Sequence, residues 1–161
     1  MIAETIATQF DVPGRLVTLR PIGAGNVNDT YLVILRTTFS EEQYILQRIN
    51  RNVFREPAAV MANMKVVTDH AHQRIAAEAE TADRIWQLPR VISAKGGGDF
   101  MVDEEGECWR ALSMIASTVS YEKVGIPEHA AEAGRVLGHF QRIISDLSLI
   151  HISEPTRRDP I

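Results

Sequence analysis

The residues best suited to chemistry lie in one short turn. Gly23-Ala24-Gly25-Asn26-Val27-Asn28 places two glycines and two asparagines just ahead of Asp29. Glycine lets backbone approach a ligand closely and takes positive φ without steric cost, and asparagine tolerates positive φ better than most side chains. A turn of this kind can offer successive backbone N–H groups to phosphate oxygens. It nearly matches G-x-G-x-x-G, with Asn28 in place of the third glycine. A dinucleotide-binding turn, however, leads from a strand into a helix. Here the β-branched and aromatic run Tyr31-Leu32-Val33-Ile34-Leu35 follows, which predicts a strand. The motif alone also reads as a plain β-hairpin with a long turn.

Other constellations offer less. None of the five histidines has an aspartate two residues later. His70 and His72 sit two apart on a predicted helix, so they point to different sides and make a poor metal pair; solvated helical histidines are the expectation. Cys108, the single cysteine, lies in a predicted strand without an evident base. It cannot form an internal disulfide, which suits a reducing cytoplasm. Asp103-Glu104-Glu105 reads as a solvated turn. Neither a G-x-S-x-G elbow nor a G-x-x-x-x-G-K-S/T phosphate loop occurs.

The elements that must position the turn follow from periodicity. Leu16–Arg20, Tyr31–Leu35 and Tyr44–Ile49 predict three strands with short links, the last two separated by a polar turn at Ser40–Gln43. That is an antiparallel meander. A helix starts at Pro57, with Val60, Met64, Val67, Ala71 and Ile75 forming one apolar stripe, and fades over Ala76–Ala82. Arg90–Ser93, Phe100–Val102 and Trp109–Ile115 predict further strands, and Pro127–Asp146 a last helix with Ala130, Ala133, Val136, Leu137, Phe140 and Ile144 facing inward. The order implies α+β: a mixed antiparallel sheet of about five strands with the Pro57 helix on one face. Val60, Met64, Val67, Leu46 and Leu112 are the expected core. The 161 residues carry 17 Lys and Arg against 21 Asp and Glu, a net charge of −4 with no basic field for nucleic acid. No signal-like start or bilayer-length apolar run occurs, so a cytoplasmic protein without membrane contact is expected.

The motifs taken in order carry a family likeness. Gly25-Asn26-Val27-Asn28-Asp29-Thr30-Tyr31, Tyr44-Ile45-Leu46-Gln47-Arg48-Ile49-Asn50, Val53-Phe54, Pro57, Trp109-Arg110, Val119-Ser120-Tyr121 and Ala133–Gln141 resemble the aminoglycoside phosphotransferase and choline kinase superfamily. Within it they are most similar to N-acetylhexosamine 1-kinase-like sugar kinases. The resemblance spans about Leu16 to Asp146 and implies a protein-kinase-like amino-terminal lobe. It also implies that ATP with Mg²⁺ is used and that a small-molecule hydroxyl, most readily a sugar's, accepts the phosphoryl group. Gly23, Gly25, Asn26, Val27 and Asn28 would then cover the phosphates, Arg48 would meet them, Leu46 would face adenine, and Met114-Ile115 would form the hinge. Gln47 is the competing assignment for Arg48, because a one-residue slip in register exchanges the faces. Ala62 stands where the likeness suggests a helical glutamate, with Asn63 beside it as a weaker polar substitute.

The family's H-x-D-x-x-x-x-N segment and later metal-binding aspartate are absent from the sequence. The expected division is a nucleotide-binding lobe over residues 1–115, a hinge and first helix of a second lobe over 116–146, and a tail over 147–161. Leu147-Ser148-Leu149-Ile150-His151-Ile152-Ser153-Glu154-Pro155-Thr156-Arg157 resembles a translated transposon-end sequencing adapter, so the tail is expected to be non-native. The chain itself is then expected to be inactive, with no catalytic or metal-ligating residues of its own. The alternative class is a non-catalytic binding or interaction module whose hairpin has no nucleotide role.

Overall fold

The computed structural model describes residues 2–23, 27–78, 84–119, 121 and 123–147. Its elements run α1 (Ile2–Ala7), β1 (Arg15–Pro21), β2 (Asp29–Arg36), β3 (Glu41–Ile49), α2 (Pro57–Glu78), β4 (Val91–Ile92), β5 (Met101–Val102), β6 (Cys108–Ser113) and α3 (Pro127–Ile143). The fold is α+β, and its strands form one sheet in the order β1-β2-β3-β6-β4, with β5 also paired to β6. Every pairing is antiparallel, including the β1-β2-β3 meander. The sheet has six strands rather than about five.

Alternation along β3 explains the two faces, because successive side chains leave a strand on opposite sides. Tyr44 and Leu46 are fully buried and pack with Val33, Leu35, Trp109 and Ala111 against Ile6, Ala7 and Phe10. Ile49, from the other face, packs with Cys108 against Met61 of α2. The main core therefore lies under α1. That helix gives little sequence signal, being only 6 residues long. The chain after it is pinned to the sheet edge by Asp11 N–H donating to Ser93 and Lys95 N–H donating to Gln9.

Several expected boundaries move. Ser40–Gln43 is not a turn; β3 starts at Glu41, and the turn before it is closed by Thr37 N–H donating to the Ser40 carbonyl. Trp109–Ile115 shortens, since Met114 and Ile115 lie past the end of β6. Of the expected core, Leu46 and Leu112 are buried, whereas Val60, Met64 and Val67 are only half-buried. Pro57, Met61 and Ala71 form the deeper face of α2. The stripe is diluted because α2 lies over only part of the sheet, with β4 its main strand neighbour and Ile49 and Cys108 packed against Met61.

The last helix differs most. Ala130, Ala133, Val136 and Leu137 are exposed, Phe140 and Ile144 are half-buried, and only Ile143 is buried. Charge and aromatic contacts hold α3 instead. Arg142 donates twice to Glu78 (2.8 and 2.7 Å), His70 bonds to the Ile143 carbonyl and Asp146, and Trp86 stacks on His139 at 3.7 Å. His70 and His72, the latter bonded to the Pro89 carbonyl, are thus half-buried connectors rather than solvated residues.

Gly14 meets a strict steric demand where β1 begins. Its φ is +116°, and a Cβ there would lie 2.9 Å from the Arg36 carbonyl oxygen. Gly14→Ala is expected to cost about 1–3 kcal/mol, combining backbone strain with that contact. Urea midpoints measure it; an unchanged midpoint would show that the β1–β2 end relaxes freely.

Candidate functional site

The turn lies where the sequence reading puts it, between two antiparallel strands. Gly23 has φ +73°, the conformation its type allows. Gly25 and Asn26 lie outside the described residues. Asn28 does not take positive φ; its side-chain oxygen accepts a hydrogen bond from Asn50 N–H at 3.0 Å. Asparagine is thus used here to tie the end of the turn to the end of β3. Val27 is exposed.

Register decides which side chains accompany the turn. Asp29 pairs with Arg48, Thr30 with Gln47 and Tyr31 with Leu46 across β2 and β3. Leu46 has no accessible surface, being enclosed with Tyr44, Trp109 and Ala111. As packed, it cannot serve as a wall for adenine, which corrects the expectation from the resemblance. Arg48 is exposed and donates from Nε to Asp29 Oδ2 at 2.8 Å, with a second bond from Nη2. That hydrogen bond to Asp29 raises the Arg48 pKa further above its ordinary value. Arg48 sits in a polar cleft of about 350 Å³ with Val27, Asp29, Asn50, Arg51 and Glu107. This volume falls in the range of roughly 300–1,000 Å³ common for small-ligand sites.

Gln47 lies on the opposite face, the one that carries α2. Its Nε2 donates to Thr30 Oγ1 at 3.0 Å, and its Oε1 accepts from Arg110 Nε at 2.9 Å. Thr30 Oγ1 in turn donates to the Asn28 carbonyl at 3.4 Å. A polar row therefore crosses three strands from the turn to α2. The Arg110 guanidinium ends this row against the Met64 and Met61 sulfurs, at 3.4 and 3.9 Å. Burial lowers its pKa from the ordinary arginine value. The Trp109-Arg110 motif by itself points to no role for Arg110; its signal is an arginine at the midpoint of a strand otherwise rich in apolar residues.

Met114 and Ile115 follow β6 as non-strand backbone, Met114 exposed and Ile115 half-buried. They are at the end of β6 whose Ser113 faces Tyr44, whereas Arg110 faces Gln47. The turn and the expected hinge thus occupy different ends of the strand pair. Ala62 is exposed and Asn63 half-buried on α2.

Asp103 serves structure. It accepts hydrogen bonds from the Glu105 and Glu107 amides and from the Trp109 indole at 2.8 Å. Burial acts to raise its pKa, but these donors outweigh that and lower it. Cys108 is buried, and burial pushes its thiol pKa upward, away from the thiolate that nucleophilic chemistry needs.

Among the described residues, no group of three or more His, Cys, Asp or Glu is gathered that could hold a metal ion. No helix among them is long and apolar enough to cross a membrane. No family model matches the chain.

Proposed function

We propose that these residues form the nucleotide-binding lobe of an ATP-dependent kinase acting on a small-molecule hydroxyl, most readily that of a sugar or amino sugar. The observation that carries this reading is the setting of the glycine turn. It joins two antiparallel strands, with the third strand leading to a long helix that packs on one face and β6 leading to the Met114-Ile115 link. In this reading the sheet and turn orient the nucleotide, and positioning is much of what phosphoryl transfer requires of a protein. The sequence holds no H-x-D-x-x-x-x-N segment, so the base for the acceptor hydroxyl and the metal ligands are assigned to residues outside these 161.

Calorimetric titration with ATP–Mg²⁺ tests the reading. Binding weaker than micromolar is expected, because half the cleft's chemistry is missing. No transfer to N-acetylhexosamines or other sugars is expected from this chain. Sequencing the parent locus past the Asp146 codon should reveal a continuing frame with the missing motif. No binding at millimolar ATP, together with a stop codon there, would favour a non-catalytic module instead. Submicromolar binding or sugar turnover by the 161-residue chain would contradict the proposed division of labour.

A further inference from the structure

Arg110 differs from the paired arginines of this chain in what meets it. Arg36, Arg48, Arg84, Arg135 and Arg142 are exposed and each reaches a carboxylate. Arg110 is half-buried, yet its partners among the described residues are one neutral amide oxygen and two thioether sulfurs. Its Nη2 makes no hydrogen bond among them. A desolvated cation without a counter-charge weakens a fold, and a bound anion would offset that cost.

The same face offers a setting for such an anion. Thr30 and Gln47 complete a polar row that begins at the Asn28 carbonyl and fixes the plane of the guanidinium through its Nε. The adjoining row on this face is Leu32, Ile45 and Leu112, apolar throughout. Arg20, paired across the strands with Leu32, is exposed and has no carboxylate partner among the described residues. One face thus has an apolar row beside a polar one, with arginines at both ends.

We infer that Arg110, held by Gln47, binds phosphoryl oxygens on the α2 face of the sheet. This rests on the nucleotide reading and deepens it, seating the phosphates on the α2 face rather than in the cleft beside Arg48. An arginine suits the role because its planar fork stays charged and can present two N–H groups to one phosphate. Gln47 is a positioning residue, since it reaches the anion only through Arg110.

The test uses the full chain with two probes, ATP and inorganic tripolyphosphate, read by calorimetry and by the shift in melting temperature. Wild type, Arg110→Met, Arg110→Lys, Arg48→Met and the distant control Arg36→Gln are compared. Arg110→Met is expected to weaken both probes by about tenfold or more, and Arg110→Lys by less, because it keeps the charge but loses the fork. Ligand-free Arg110→Met is expected to melt no lower than wild type, since methionine fits beside Met61 and Met64 without a charge to desolvate. A purely structural arginine would lower that melting temperature and leave the affinities alone, which would overturn the inference. Loss of ATP binding in Arg48→Met with retention in Arg110→Met would overturn it too, while sparing the nucleotide reading. Arg110-dependent tripolyphosphate binding without ATP binding would uphold the anion site and remove the nucleotide reading. Wild type unaffected by either probe would defeat both.

Discussion

Tyr44→Ala is expected to lower folding stability by about 3–5 kcal/mol, the usual range for deleting a large buried ring. Tyr44 has no exposed surface, lies at the centre of the core under α1, and its hydroxyl donates to the Ala7 carbonyl. Tyr44→Phe keeps the ring but leaves that carbonyl unpaired, at an expected cost of about 1–3 kcal/mol. The pH dependence separates the hydroxyl from the ring. Burial raises the phenol pKa well above its ordinary 10.0. Between the unfolded and folded values the native state holds the proton and the unfolded chain does not. The stabilisation is therefore fully present below about pH 10 and is lost as pH rises, by about 1.4 kcal/mol per unit. Urea midpoints measured from about pH 9 to about pH 11.5 should fall more steeply for wild type than for Tyr44→Phe. Equal slopes would show that the phenol meets water in the fold.

Leu46→Ala should cost about 2–5 kcal/mol, because a fully enclosed leucine leaves a cavity that neighbours refill only in part. Arg48→Ala, two positions along the same face, should change stability by no more than about 1 kcal/mol, since it breaks an exposed ion pair. This contrast separates the core from the site. Leu46 lies between Tyr31 and Ala111 on the neighbouring strands, and its fully buried side chain leaves no room for a base. Denaturant unfolding of both variants, with ATP titration of each, makes the comparison. A Leu46→Ala chain of undiminished stability that no longer binds ATP would make Leu46 a ligand wall after all.

Local signals carried much of this fold. The β1-β2-β3 meander, the glycine turn within it and both long helices are written in short-range alternation, helical spacing and turn residues, which act over a few positions. Leu46 and Leu112 were legible as core because each sits in a strand dense with apolar neighbours. The six-residue α1 was not, because its stability comes from packing on the sheet rather than from propensity. Nor was the exposure of Val136 and Leu137. An amphipathic stripe shows which face of a helix is apolar, not whether a neighbour covers it.

The sequence by itself determined the residue types at the turn, the strand order that makes a hairpin of it, and the adjacency of Gln47 and Arg48 on β3. Only the tertiary structure decided which face each one serves. Side chains alternate along a strand, but the sheet has two covered faces, under α1 and α2, and alternation cannot say which helix covers which. Long-range packing settles it. Tyr44 reaches Ala7 and so commits Leu46 and Arg48 to the α1 face. Met61 and Met64 meet Arg110 and so commit Gln47 to the α2 face. The row from Asn28 through Thr30 and Gln47 to Arg110 joins residues up to 82 positions apart, from 28 to 110, which no local pattern in the sequence connects.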